Sequence, residues 1–507
     1  MSPDVSPDVS PQVSKLLDAV KQHAETTPHV IALEGDDFTL TYAELNKTVA
    51  TVAGFIQRHN INTVALLVDN GPLWCLADLA CAHANLPLVP VPHFFSAAQM
   101  KHLIGSAGVD GVLTEHPAQI LALLEQLQLD CTTEELHVAG KSLSLIQLNI
   151  VKVTLPAGCA KITFTSGSTG EPKGVCLSRH VMDTVAASLA TVTGARSSDR
   201  HISLLPYATL LENIGGLYAP LLVGATVVSP SLAAVGLSGS SGLDVQRFVG
   251  KLIQSQATTC IMIPQMLHAL VAAVEAGAPK PVNLRFIAVG GAPVSLALLE
   301  RSAKLGLPVF EGYGLSEASS VVAVNTPVAN RPGSVGKLLP HARIAFAEDG
   351  EILVKGGLFS GYLGDAPLQS EYWPTGDIGH MDADGFLYLS GRKKHIFIAA
   401  FGRNVSPEWV ERELSIEPAI AQCCVFGEAR PFNVAVIVPR AGVDETRLGM
   451  AIALANARLP DYAAVSKWLI ADEPFSIQNG LWTGTGRPRR SQIMTAYEVR
   501  LNDLYQE

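Results

Sequence analysis

The run Ile162-Thr163-Phe164-Thr165-Ser166-Gly167-Ser168-Thr169-Gly170-Glu171-Pro172-Lys173-Gly174-Val175 takes a short apolar strand straight into a loop of small, hydrogen-bonding residues. Gly167, Gly170 and Gly174 let backbone N–H groups converge without side-chain obstruction, the hydroxyls of Thr165, Ser166, Ser168 and Thr169 add donors, and Lys173 adds a positive charge. Such a loop suits an anion, and a polyphosphate would neutralise Lys173. A Walker P-loop needs Gly-Lys followed by Ser or Thr; here Lys173 follows Pro172, which disfavours P-loop kinases and ATPases. The bland alternative, a flexible Ser/Gly linker, rarely follows an apolar strand so directly or carries a lone Pro-Lys-Gly.

Further motifs follow in order: Gly290-Gly291-Ala292-Pro293, Tyr313-Gly314-Leu315-Ser316-Glu317, Gly333-Ser334-Val335-Gly336, Thr375-Gly376-Asp377 and Gly391-Arg392-Lys393-Lys394. With the loop, they make the chain resemble the adenylate-forming superfamily of acyl-CoA synthetases, peptide-synthetase adenylation domains and luciferases. The resemblance spans nearly the whole chain, and several motifs in one order are far more specific than any one alone.

At 507 residues the chain is long enough for two or three domains, and its hydrophobic content of 48% with 16% charged residues describes a globular protein. A net charge of −10 argues against a nucleic-acid binder. The eight cysteines (Cys75, Cys81, Cys131, Cys159, Cys176, Cys260, Cys423, Cys424) form no Cys-x-x-Cys and read as buried apolar fillers in a reducing compartment, without an obvious zinc site. Residues 1–12 repeat Ser-Pro-Asp-Val and are expected to be a disordered tail rather than a signal peptide. No window approaches the roughly 20 apolar residues of a membrane span, so a cytoplasmic location is expected. The richest, Leu217 to Val228, is interrupted by Pro220 and Gly224 and reads as buried helix and strand.

From Val13 to about Val153, helical patterns (Val13 to Thr26, Tyr42 to His59) alternate with apolar strands (Thr63 to Val68, Gly111 to Thr114), the mark of a parallel α/β sheet. The alternation resumes with strands near Arg200 to Leu205, Ala225 to Val228, Thr259 to Ile263 and Phe286 to Val289. After Val335, short strands separated by Gly and Asp-Gly turns suggest a small β-barrel. The expected fold is α/β: a large N-terminal domain, 13–393, of two doubly wound sheets plus the barrel, and a small mobile α+β lid, 394–507. The stretch Gly236 to Gly242 is expected to be a surface loop.

The resemblance implies the chemistry. Activating a carboxylate as an acyl adenylate brings an anion up to an anionic α-phosphate, so charge must be cancelled first. Thr165, Ser166, Gly167, Ser168, Thr169, Gly170 and Lys173 would hold the β- and γ-phosphates of ATP, and Ser168 and Glu317 would hold Mg²⁺. Tyr313 would offer a face to adenine, with Gly291, Ala292, Gly312, Gly314 and Ser316 lining the nucleotide and Asp377 and Arg392 meeting the ribose. Taken alone, Asp377 would be a turn residue and Arg392 to Lys394 a solvated charge run. The family places a hinge at Lys394 and a pantetheine tunnel at Phe401 to Pro407, including Gly402 and Asn404.

For the acyl pocket, Tyr207, Thr209, Ala318 and Ser319 are the candidates. The absence of aspartate between Pro206 and Glu212 disfavours an amino-acid substrate. Glu212 matches an acidic position of the fatty-acyl group or is a helix-surface residue. The reading is an ATP- and Mg²⁺-dependent ligase joining a medium or long acyl acid to CoA. Alternatives are an aryl acid, a carrier-protein phosphopantetheine as acceptor with an acyl-carrier protein as partner, or an impaired nucleotide- or acyl-binding homologue. The last rests on Arg487, which stands in Trp482 to Arg490 where the family ordinarily has a catalytic lysine. Arg487 either reaches the cleft or helps solvate a basic terminus with Arg489 and Arg490.

Overall fold

A computed structural model describes residues 14–92, 95–165, 172–238, 242–395, 397–399, 403–428, 430–483 and 486–506. The chain forms two compact units: Met1–Leu232 with Ser316–Ser320 and Gly357–Gln369, and Ala233–Leu315 with Val321–Gly356 and Ser370–Glu507.

The first unit is built on an eight-stranded sheet in the order Gly361–Tyr362, Lys173–Ser178, Cys159–Thr165, Leu88–Pro90, Val64–Leu67, Gly111–Thr114, Lys141–Leu148, Cys131–Val138. Its centre is parallel, as the helix–strand alternation predicts, and Ala65, Val89, Val112, Ile162 and Cys176 pack there with Leu103, Ile104 and Leu124 from the flanking helices. Two helices begin with reciprocal caps, Thr41 with Glu44 and Ser96 with Gln99, in which side chain and backbone satisfy each other's unpaired N–H groups. The expected alternation fails at Cys131–Val138 and Lys141–Leu148, which form an antiparallel hairpin. Its turn, Ala139-Gly140, has positive φ at both residues, the geometry that a two-residue hairpin needs. A second run of strands orders Arg200–Ile202, Thr226–Val228, Ile31–Glu34 and Thr39–Thr41.

In the second unit, Thr259–Met262, Phe286–Val289 and Val309–Tyr313 pair in parallel, and Ala323–Val324 and Lys337–Leu338 continue antiparallel. The expected small barrel takes the form of a four-stranded antiparallel sheet, Arg343–Phe346, Glu351–Lys355, Trp373–Met381 and Leu387–Arg392. The C-terminal three-stranded sheet, Ile420–Phe426, Asn433–Pro439 and Val465–Ile470, buries one face under Pro407–Leu414 and Glu445–Asn456 and the other under Arg490–Asp503. Leu237–Ser238 and Gly242–Leu243 pair as a tiny hairpin where a plain loop was expected. All eight cysteines are free, and all but the half-buried Cys131 are buried. No helix among the described residues is long and apolar enough to cross a membrane.

Polar groups tie the first unit together at its centre. Lys161, on the strand Cys159–Thr165, is 1% exposed and pairs with the equally buried Asp78 of the helix Pro72–His83 at 2.6 Å. Its ammonium also donates to Asn213 and, at 2.9 Å, to Tyr218, whose hydroxyl donates to the other Asp78 oxygen at 2.7 Å. Burial pulls the Lys161 pKa down and Asp78 opposes that pull. A dry pair of this kind is worth little against an apolar isostere, but breaking it strands a charge. Asp78→Ala is therefore expected to lower unfolding stability in urea by roughly 3–5 kcal/mol, with Lys161→Met in the Asp78→Leu background recovering most of the loss. A loss under about 1 kcal/mol for the single variant would show that water reaches the pair.

Candidate active site

The strands on either side of the Ser/Gly-rich loop pair with each other. Cys159–Thr165 and Lys173–Ser178 pair antiparallel, with Thr165 opposite Lys173, so the two ends are held side by side. Ser166, Gly167, Ser168, Thr169 and Gly170 lie outside the described residues. The Pro172 carbonyl at the loop's exit is 3.2 Å from the His102 ring on the helix Ala97–Ala107. Lys173 is exposed, and its ammonium stands 5.0 Å from the centroid of the Tyr362 ring.

Glu317 sits in the 3₁₀ turn Ser316–Ala318, where its carbonyl accepts the Phe359 N–H at 2.8 Å. Its carboxylate Oε1 accepts the Tyr362 hydroxyl at 2.7 Å. Burial, followed by the Glu317 bond, pushes the Tyr362 phenol up, so it stays a donor at neutral pH. Sequence reading missed Tyr362 because a two-residue strand, Gly361–Tyr362, carries no periodic signal. No group of three or more His, Cys, Asp or Glu side chains able to hold a metal occurs among the described residues. A single carboxylate completed by phosphate oxygens suits Mg²⁺, which is usually held through one or two carboxylates plus substrate.

The acyl-pocket expectations need correction. Tyr207 is 1% exposed, stacks on Trp74 and shares hydrogen bonds with Ser203 and Ser229 at 2.7 and 3.0 Å, so it is core rather than channel wall. Ala318 and Ser319 are also fully buried and offer no surface to a channel; Thr209 is half-buried. Ser319 and Ser320 hold positive φ (54° and 93°), and both hydroxyls are buried without a hydrogen-bond partner among the described residues. Glu212 is not a helix-surface residue. It starts the π-helical segment Glu212–Tyr218, is fully buried, and accepts the Leu205 N–H at 3.1 Å, with His201 3.1 Å from its other oxygen. A Cβ at Gly216 would lie 2.1 Å from that second oxygen, so a larger residue there would displace the carboxylate.

The second unit gathers the nucleotide-side candidates. Tyr313 ends the strand Val309–Tyr313 and is only 7% exposed; its hydroxyl donates to Asp377 Oδ2 at 2.7 Å. Asp377 and Arg392 are register partners on adjacent strands, and Arg392 Nε meets Asp377 Oδ1 at 2.8 Å. Burial raises the Asp377 pKa while Arg392 and Tyr313 oppose it. The broad adenine face expected of Tyr313 is thus reduced, and its phenol acts as a brace on the carboxylate. Gly312 is half-buried in the same strand and Gly314 exposed; Ser316, which belongs to the first unit, is half-buried. Gly291 (φ +82°) and Ala292 follow the strand Phe286–Val289 in an accessible turn.

The Gly291 carbonyl accepts two donors from one side chain: Arg487 Nε at 2.9 Å and Arg487 Nη2. The Arg487 backbone is held by its N–H, which donates to Thr483 Oγ1 at 2.9 Å. Burial lowers the guanidinium pKa, as does Arg392, against Asp377, Glu408 and Tyr313. Arg490 differs: it is half-buried and makes a bidentate pair with Glu411 at 2.7 and 3.0 Å, so the terminus is not simply a solvated basic patch. Lys394 is exposed in a turn after Lys393, which pairs with Asp349 and Glu351. Gly402 lies outside the described residues, and Asn404 pairs opposite Ile398 in a short antiparallel ladder.

Residues 20–363 match the sequence model of the AMP-binding enzyme family, and residues 394–507 that of the AMP-binding enzyme C-terminal domain. The chain belongs to the AMP-binding enzyme family. Among this AMP-binding enzyme's relatives, a feruloyl-CoA synthase of Amycolatopsis is 28% identical over 87% of the chain and 92% of the relative. A long-chain-fatty-acid–CoA ligase of Mycobacterium bovis is 29% identical over 72% of the chain and 70% of the relative. The o-succinylbenzoate CoA synthetase of Bacillus subtilis, solved with ATP and magnesium, superposes with a TM-score of 0.74 at 25% identity, covering 94% of this chain and 98% of that one.

Glu311, two residues before Tyr313, is buried and accepts the Val294 N–H at 3.3 Å just beyond the Gly290–Pro293 turn. Burial pushes its pKa from 4.5 up to about 7. An unfolded glutamate releases its proton first, so between those values the folded state holds the extra proton and stability falls as pH rises. Glu311→Gln is expected to remove roughly 3 kcal/mol of that fall between about pH 4.5 and 7, read from urea midpoints across the range. An unchanged profile would mean that the carboxyl is charged in the folded state.

Proposed function

We propose that this AMP-binding enzyme is an AMP-forming acid–CoA ligase that activates a carboxylic acid as acyl-AMP, releases pyrophosphate and passes the acyl group to the CoA thiol. The observation carrying the reading is that Tyr362 meets Lys173 at its ring and Glu317 at its hydroxyl, a cation beside the Ser/Gly-rich loop and a carboxylate suited to Mg²⁺. The relatives, named as CoA synthases and ligases, support the reaction class.

Thr165 and Lys173 would position the β- and γ-phosphates, Asp377 with Arg392 the ribose, and Gly291 and Gly312 the base. Mg²⁺, when bound at Glu317, supplies Lewis-acid polarisation of phosphoryl oxygen. With the phosphate charge cancelled, the acid's carboxylate attacks the α-phosphorus and pyrophosphate leaves. Residues 394–507, turning about Lys394, would then admit the thiol. The favoured substrate is a medium or long acyl chain. An aryl acid is the second reading, supported by the relative named as a feruloyl-CoA synthase.

The test is acid-dependent ATP–pyrophosphate exchange across fatty and aryl acids, followed by addition of CoA or a phosphopantetheinyl carrier protein. Lys173→Ala and Glu317→Ala are each expected to lower exchange about 10²–10³-fold with small changes in stability. Unchanged exchange in either variant removes that residue from the site.

Arg487 generates a separate expectation. A guanidinium offers a planar fork where lysine offers a point charge, and here two of its donors go to one carbonyl. Arg487→Lys should raise the pyrophosphate-exchange rate while leaving CoA transfer from supplied acyl-AMP nearly unchanged. A large drop would show a site built around guanidinium, and no change would place Arg487 outside it.

A further inference from the structure

Tyr362 touches both charged groups assigned above to the phosphate end of the site. Its hydroxyl donates to Glu317 Oε1 at 2.7 Å, and its ring lies 5.0 Å from the Lys173 ammonium. Neither contact is incidental to the backbone. Tyr362 pairs opposite Val175 and Gly361 opposite Cys176, so the tyrosine is clamped to the strand that begins with Lys173. Three backbone bonds, Phe359 N–H to Glu317, Ser360 N–H to Cys176 and Leu363 N–H to Gly174, stitch the same segment to both neighbours. Phe359 packs edge-on against the ring at 5.0 Å.

We propose that Tyr362 is a positioning residue that presents Glu317 to the metal and Lys173 to the phosphates, setting the enzyme's affinity for Mg²⁺·ATP. The inference rests on the reading of Glu317 as the metal-holding carboxylate. A carboxylate on a short turn can rotate; a hydrogen bond to one oxygen fixes its plane and leaves Oε2, which has no hydrogen bond among the described residues, as the metal-facing atom. Groups that orient a metal ligand in this way typically carry about 10- to 100-fold of the metal affinity. The ring's negative face meanwhile attracts the Lys173 ammonium, a contact that survives loss of the hydroxyl. The two contributions are separable by substitution.

The full-length protein is compared as wild type, Tyr362→Phe, Tyr362→Leu and Glu317→Gln. Two readouts are used: the Mg²⁺ concentration for half-maximal pyrophosphate exchange, and Mn²⁺ binding followed by electron paramagnetic resonance with α,β-methylene-ATP, which measures the site without turnover. Tyr362→Phe should raise the Mg²⁺ half-saturation and weaken Mn²⁺ binding about tenfold, with KM for the acid unchanged. Tyr362→Leu should add a rise in KM for ATP as Lys173 loses the ring. Melting temperatures separate these effects from misfolding, and the isosteric phenylalanine keeps the test open if leucine fails to fold. A weakened metal response in Glu317→Gln but not in Tyr362→Phe overturns the proposal while leaving the assignment of Glu317 intact. An unchanged response in both overturns that assignment and the proposal with it. Equal loss of activity at every Mg²⁺ concentration, with Mn²⁺ binding unaltered, reduces Tyr362 to a packing residue and also overturns it.

Discussion

In the first unit, the Lys161 ammonium is enclosed by Asp78, Asn213 and Tyr218, on the strand whose far end is Thr165. A buried charge with several hydrogen-bond partners has one acceptable position, because sliding the strand by one residue would turn Lys161 to the other face and leave Asp78 unpaired. The network therefore fixes the register of Cys159–Thr165 against the helix Pro72–His83 and the π-helical segment. Everything downstream inherits that register: Thr165 opposite Lys173, Val175 opposite Tyr362, and the clamp on Glu317.

The two motif carboxylates are held by the same device. Glu317 accepts the Tyr362 hydroxyl in one unit, and Asp377 accepts the Tyr313 hydroxyl in the other, each at 2.7 Å. A phenol is a strong donor on a rigid side chain, so it orients a carboxylate at low entropic cost and adds no charge. Their electrostatic settings differ. Asp377 has Arg392 at 2.8 Å as counter-ion, which suits a fixed acceptor for neutral hydroxyls. Glu317 has no such cation paired with it among the described residues, which suits an acid whose partner arrives with the nucleotide.

The C-terminal segment shows how two arginines three residues apart divide their work. Arg490 is absorbed into the packing of the C-terminal segment through Glu411 and the Val425 carbonyl. Arg487 turns to Gly291 and sits in a field where Arg392 repels it and Asp377 attracts it. Charge alone does not distinguish the pair; Arg487 is held at its backbone by the Thr483 hydroxyl, while Arg490 opens the helix Arg490–Asp503.

Much of the architecture was legible in the sequence because it rests on local rules. Strand Phe286–Val289 was located to the residue, the helical pattern from Tyr42 starts where the helix does, and the ordered glycine-rich motifs identify the family. Those features depend on neighbours a few positions apart, which periodicity and turn chemistry report directly. Tertiary structure alone decided that Tyr207 is core, that Glu212 is buried against His201, that Tyr362 holds Glu317 and that Arg490 joins Glu411. The partners in the last two pairs stand 45 and 79 residues apart. Their meeting depends on strand order and register, which emerge only when the hydrophobic faces of distant segments are buried together.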